Sequence, residues 1–175
     1  MLKRAEIFAL LSELDAELAK DHVVGEVGLC GGAVMCLVFK ARASTKDVDG
    51  IFVPTGEIRK AVARIAKRRG LAHDWLNDAA KSYFVSDPPR IAVWEGKNLR
   101  VWAPTAEYML AMKAVAARFD GKDKQDVQFL LKHLGLKSVK SVFDVIERYY
   151  PRRQIPTKTQ FLIEELLETK AVRGK

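Results

Sequence analysis

The sequence predicts an α+β protein: a small mixed β-sheet core with an N-terminal helix and a C-terminal helical bundle. Three observations predict it. Short apolar runs bounded by glycine, proline or aspartate (23–29, 51–53, 91–94 and 99–102) are confined to the first 103 residues. Beyond residue 104 every periodic stretch has helical spacing. The first twenty residues are also helical in period. The chain therefore divides into a mixed α/β core over 1–103 and a helical region over 104–175.

Residues 2–20 place Ile7, Leu10, Leu11, Leu14 and Leu18 on one face, with Lys3, Glu6, Glu13 and Lys20 mostly off it, as in an ordinary packing helix. Asp21-His22 turns the chain into a first strand over 23–29. Gly31-Gly32 ends that strand and opens an apolar helix over 33–39. A basic loop with Lys40, Arg42 and Lys46 leads to Asp47-Val48-Asp49 and the apolar run 51–53. Residues 57–69 form a helix ending at Gly70, with Ile58, Val62, Ile65 and Ala66 inside and Lys60, Arg64, Lys67, Arg68 and Arg69 outside. Cations in its last turn suit the helix dipole.

Residues 73–78 form a polar loop or short helix around Trp75, and Asp87-Pro88-Pro89 breaks the chain. Strands 91–94 and 99–102 flank a hairpin turn at 95–98. Pro104 and Thr105 start a long helix reaching about residue 118. Helices 123–134, stopped by Gly135, and 138–149, stopped by Pro151, follow. Arg152-Arg153-Gln154 is a basic linker, and a last helix over 157–170 has Thr157 and Gln160 spaced as a capping box.

Composition narrows the function classes. Of 175 residues 49% are hydrophobic, enough for a core, yet no apolar run nears the ~20 residues that span a bilayer. The N-terminus reads as an amphipathic helix and not a signal peptide, so the expectation is a soluble, cytoplasmic protein. Cys30 and Cys36 are too few for a disulfide framework and read as buried thiols. His22, His73 and His133 show no ligand spacing. The formal charge of +8 raises the local concentration of anions, nucleic acid or nucleotides, without choosing between them.

Three features carry chemistry. A turn of two glycines lets the backbone turn tightly and a ligand come close, with the amides at the start of the next helix facing an anion. Asp47 and Asp49, two apart, share one face of a strand with Val48 on the other. Aligned carboxylates repel unless a cation lies between them, which suits Mg²⁺; a solvent-facing strand edge also explains the pair, and a plain strand-to-helix turn the two glycines. Lys113 shares a helix face with Met109, Met112 and Ala116, and Asp123 and Asp126 flank the stripe of Val127, Leu130, Leu131 and Leu134. Snorkelling explains Lys113 equally well, and an N-cap explains Asp123.

The run Gly31-Gly32, apolar helix, Arg42, Ser44-Thr45-Lys46-Asp47-Val48-Asp49 resembles the signature of the nucleotidyltransferase-fold superfamily. It is nearest the toxin-type branch, the AbiEii-like toxins of type IV toxin–antitoxin pairs. The stretch from Glu107 to Lys113 and then Lys122-Asp123-Lys124-Gln125-Asp126 matches the helix with a lysine and the helix start that continue that pattern. The likeness spans roughly residues 23–135. It implies an enzyme that transfers NMP from an NTP to an acceptor hydroxyl of tRNA, other RNA or protein. It also implies a cognate antitoxin as partner. Asp47 and Asp49 would bind Mg²⁺ or Mn²⁺; Gly31, Gly32, Arg42, Thr45 and Lys46 would bind phosphates. Lys113 would reach the triphosphate, and Asp123 or Asp126 would orient it or deprotonate the acceptor. Many members carry a third carboxylate on a later central strand, for which this chain offers Glu95 in the expected turn. That departure leaves a second expectation, a non-catalytic nucleotide- or nucleic-acid-binding module on the same fold. The long helical region supports a third, a partner protein whose helices dock another chain.

Overall fold

The computed structural model describes residues 1–85, 87–117 and 121–173. It is an α+β protein with seven helices and two sheets among the described residues. The order is β1 (Leu2–Lys3), α1 (Arg4–Lys20), β2 (Gly25–Cys30), α2 (Gly31–Leu37), β3 (Ser44–Thr45), β4 (Val48–Val53), α3 (Thr55–Arg69) and β5 (Leu76–Asn77). There follow β6 (Arg90–Glu95), β7 (Leu99–Pro104), α4 (Ala106–Ala116), α5 (Gly121–His133), α6 (Val139–Ile146) and α7 (Thr157–Arg173). Short 3₁₀ turns lie at Ala79–Tyr83 and Arg152–Gln154. No helix among the described residues is long and apolar enough to cross a membrane.

The chain folds into two compact units. One holds Met1–Ser82 and Arg90–Pro104, the other Tyr83–Pro89 and everything from Thr105.

In the first unit a five-stranded mixed sheet runs β5-β4-β2-β7-β6. β2 pairs antiparallel with β4 and parallel with β7; β4–β5 is parallel and β6–β7 antiparallel. Side chains of register partners share a face. Val27, Leu29, Val48, Phe52, Leu99 and Val101 thus form one buried face. Gly25 lies on it, and a Cβ there would come within 2.9 Å of Leu18 and 3.1 Å of Ile58. Those residues belong to α1 and α3, so the two helices cover this face. The five apolar residues on the inner face of α1 are all buried, each worth about 1.5–3 kcal/mol. α3 ends as expected at Gly70, which adopts the left-handed conformation (φ 65°) and donates its N–H to Ala66.

The outer cations of α3 do more than complement its dipole. Arg64 donates to Glu17 (2.7 Å) and Asp21 (2.6 Å) on and just after α1. Arg68 reaches Glu13 (2.9 Å) and Glu17 (3.1 Å), and Arg69 also binds Glu13. Lys20 completes the network on Glu17 at 2.7 Å.

The second unit is helical around α4, whose Tyr108, Met109, Leu110, Ala111, Met112 and Ala114 are buried. The apolar faces of α5 (Val127, Leu130, Leu131), α6 (Val142, Val145, Ile146) and α7 (Leu162, Ile163, Leu166) are buried as well. The segment Tyr83–Pro89 is stitched in by hydrogen bonds: Val85 N–H donates to the Tyr108 hydroxyl, Tyr150 donates to the Tyr83 carbonyl, and Thr105 N–H to the Pro89 carbonyl.

Several sequence expectations shift. β2 starts at Gly25 and leaves Val24 exposed, and the helix after it starts at Gly31 and stops at Leu37. Within the loop expected at 73–78 lies β5, held because Val48 donates its N–H to the Trp75 carbonyl at 2.7 Å. Glu95 closes β6 opposite Arg100 instead of sitting in the turn. α4 begins at Ala106, because Pro104 still belongs to β7, and its expected end at residue 118 lies outside the described residues. α6 is shorter than expected, capped at Ser138 by a box with Ser141 and finished at Ile146. The Thr157–Gln160 box does not form: Thr157 is already helical, and the Gln160 amide donates to Glu164 at 2.9 Å. α7 instead turns Thr159 and Lys158 onto the Ala114 and Ala117 carbonyls at the end of α4.

The Glu17 network makes a pH prediction. Lys20 and then Arg64, by hydrogen bonding, outweigh burial and hold its carboxyl down at about 2 in the fold. A depressed pKa gives stability that is present above the unfolded value of ~4.5 and lost as pH falls toward 2. Glu17→Gln should cost about 1–3 kcal/mol at pH 7 and flatten the loss of stability between pH 5 and 2, measured by urea unfolding across that range. An unchanged acid limb would show that Glu17 is not its source.

Candidate functional site

The residues singled out for chemistry fall into two groups, one in each unit. In the first unit β2 ends at Cys30, whose partner across the antiparallel ladder is Asp49. Gly31 follows with φ +61°, a backbone conformation that side-chain-bearing residues adopt at a cost of about 1–3 kcal/mol. A Cβ on Gly31 would lie 2.7 Å from Asp49 Oδ2. One on Gly32 would lie 2.5 Å from Thr45 Oγ1 and 3.4 Å from Arg42 Nη1. A carboxylate, a hydroxyl and a guanidinium therefore rest directly against the glycine turn. Asp49 and Arg42 are half-buried and Thr45 is buried. Five of the expected site residues meet here: Gly31, Gly32, Arg42, Thr45 and Asp49.

Asp47 and Lys46 precede the strand that carries Asp49. β4 begins its ladder at Val48, opposite Leu76, so the chain bends at Lys46–Asp47 on its way from β3 into the sheet. The alternation that puts residues i and i+2 on one face holds only inside a strand. The expected shared strand face for Asp47 and Asp49 is thus corrected: Asp49 is a ladder residue, Asp47 is half-buried in the bend before it, and Lys46 is exposed.

The strand next to β2 in the parallel register, β7, carries no acid. Opposite Gly28 it places Trp102, and the indole lies where a Gly28 Cβ would be. Trp102 Nε1 donates to Glu26 at 2.7 Å, and Arg90 stacks on the ring at 4.4 Å while donating to the same Glu26 oxygen at 2.6 Å. Ladder partners put Glu26, Gly28, Trp102 and Asp49 on one face of the sheet, opposite the helices. Glu95, the third acid considered from sequence, is exposed at the end of edge strand β6, paired with Arg100 at 3.6 Å. The Glu26–Arg90–Trp102 cluster had no sequence signal, since its members are far apart in the chain and meet only through strand order.

In the second unit Lys113 does point inward. Its ammonium lies 2.8 Å from Asp123 and 3.0 Å from Asp126, with 12% of the side chain exposed and only 3% of that of Asp126. Burial pulls the Lys113 pKa down, but Asp126 and Asp123 outweigh it and hold it above the usual value. Lys113 therefore does not snorkel. Asp123 is the third residue of α5, inside its first turn and not the cap. Among the described residues no group of three or more His, Cys, Asp or Glu side chains is gathered as a metal cluster. Cys30 and Cys36 are buried thiols, and burial pushes the Cys36 thiol up against the pull of Arg4 and Arg42.

Two outcomes follow. Gly31→Ala should destabilise by about 1–3 kcal/mol, and Gly32→Ala should displace Thr45; thermal melts read the first, and the shift of the Thr45 amide resonance the second. An unshifted Thr45 amide would contradict the geometry at Gly32. Lys113→Met leaves Asp126 buried and short of its cation, and should cost about 2–4 kcal/mol by denaturant titration. A cost below about 0.5 kcal/mol, the scale of an exposed pair, would show that the pair is not buried in solution.

Compared with protein-family models, with curated proteins and with solved structures, the chain finds no match in any of the three.

Proposed function

We propose that the chain is an Mg²⁺-dependent nucleotidyltransferase moving NMP from an NTP to an acceptor hydroxyl of tRNA or protein. The observation that carries this reading is the meeting of Gly31, Gly32, Arg42, Thr45 and Asp49 at the end of β2. A carboxylate beside a hydroxyl and a guanidinium is a donor set for a metal-bound phosphate. Mg²⁺ is ordinarily held by one or two carboxylates and completes its shell with phosphate oxygens and water. Asp49 fits that use, with Asp47 as the second acid two residues earlier. When bound, the metal would neutralise charge on the triphosphate as pyrophosphate leaves. Arg42 and the Thr45 hydroxyl would hold phosphate oxygens, and a fixed guanidinium there would stabilise charge that grows in the transition state. The acceptor hydroxyl would form the new bond to the α-phosphorus and lose its proton to water as the bond to the pyrophosphate oxygen breaks. The charge of +8 favours an anionic acceptor.

A second reading, a nucleotide-binding module without turnover, is favoured by the absence of an acid on β7, where Trp102 lies over Gly28. One experiment separates the two. The chain is incubated with Mg²⁺, labelled ATP, GTP, CTP and UTP, and bulk tRNA or its own protein as acceptor. Transfer should appear with the native chain and fall at least about 10²-fold in Asp49→Ala, with the melting temperature retained. Equal transfer by Asp49→Ala sinks the transferase reading. Nucleotide binding that survives Asp47→Asn, without transfer by the native chain, establishes the module.

A further inference from the structure

The Arg42–Thr45 side of the glycine turn stands on a two-residue strand. β3 has its ladder with β1 alone, Leu2 opposite Thr45 and Lys3 opposite Ser44. Leu2 is buried in that pairing. The next residue, Arg4, donates from Nη1 to the carbonyl of Leu37, the last residue of α2, at 2.7 Å. Its guanidinium also lies 5.4 Å over the Phe8 ring, which fixes its direction. Three consecutive residues thus grip both ends of the segment Val38 to Ala43. That segment carries Arg42 and contains Lys40 in a left-handed conformation (φ 55°). Inside it, the Ala41 N–H returns to the Met35 carbonyl at 2.8 Å.

We propose that Arg4, together with the Leu2–Lys3 pairing, is a positioning residue that holds Arg42 and Thr45 against the glycine turn, and so sets nucleotide affinity without touching nucleotide. This rests on the nucleotide reading above. The physical argument is one of leverage. Thr45 reaches the Gly32 Cα only while β3 keeps its register, and a two-residue pair is too short to hold register by itself. The bond from Arg4 to Leu37 fixes the other end of the segment, so Arg42 is carried on a closed span instead of a free one. A misplacement on the order of 1 Å of a binding group can cost as much as ~10²-fold.

The test uses the full chain with Arg4→Ala, the conservative Arg4→Lys, and Glu13→Gln as a control that loosens α1 from α3 away from this segment. Limited trypsin digestion reads the segment directly, through fragments beginning at Ala41 and Ala43. Arg4→Ala should release them about tenfold faster than the native chain, and Glu13→Gln at the native rate. Equilibrium dialysis with Mg²⁺ and each labelled nucleoside triphosphate should show about a tenfold weaker Kd for Arg4→Ala. Arg4→Lys, which keeps a donor for the Leu37 carbonyl, should recover at least half of that loss. In the transfer assay kcat/KM should fall at least about tenfold, because a displaced Arg42 loses both its hold on the phosphates and its stabilisation of the transition state. Faster cleavage with unchanged Kd and kcat/KM overturns the positioning role, as does equal weakening by Glu13→Gln. A native chain that binds no Mg²⁺-nucleotide overturns the nucleotide reading and this proposal with it, and is told apart from the first failure because it is seen before any substitution.

Discussion

The approach of the Asp49 carboxylate to the Cα of Gly31 is a consequence of the strand register on which the first unit depends. It exists because the β2–β4 ladder runs unbroken from Glu26 opposite Val53 to Cys30 opposite Asp49. A slip of one residue would carry Asp49 to the helix-covered face of the sheet. The register is held from that other face, where Gly25 makes room for Leu18 and Ile58 while Val27, Leu29 and Phe52 are buried. The α1–α3 ion network then ties together the two helices that cover it. Glu17 is buried and carries three cations, so the network favours one docking of α1 on α3. The core of this unit and its candidate site are therefore one problem in register, not two.

How much of this was legible depends on period. The inner faces of α1 and α3 repeat at 3–4 residues, and their burial follows the sequence. The two-residue strands β1, β3 and β5 have no period to read, and the β1–β3 pair decides where Thr45 lies. The Asp-x-Asp spacing has meaning only if both residues share a strand, and the bend from β3 into β4 leaves Asp47 outside. The glycine turn was legible as a turn. What it makes room for was not, because Asp49 and Thr45 reach it through tertiary pairing. Lys113 shows the reverse case: an inward lysine on an apolar face demands a counter-charge, and the acids one helix later supply it.

A net charge does not say where a basic surface lies. The stripe of arginines on α3 looks like an anion-binding face, yet Arg64, Arg68 and Arg69 are engaged by Glu13, Glu17 and Asp21, and Arg59 by Asp78. Their field at a distance is largely cancelled by acids within hydrogen-bond reach. Between residues 127 and 163 the balance differs, with seven lysines and arginines against two acids, Asp144 and Glu147. Lys132, Lys137, Lys140, Arg148, Arg152 and Arg153 in this stretch are exposed. Pairing there is sparse: Lys140 meets Asp144, and Arg152 meets Glu147 only at 3.8 Å. The exposed cations of this stretch therefore keep more of their field in solvent than the arginines of α3 do. The net charge counts both kinds of cation alike; only the positions of the acids distinguish a structural arginine from one whose field reaches solvent.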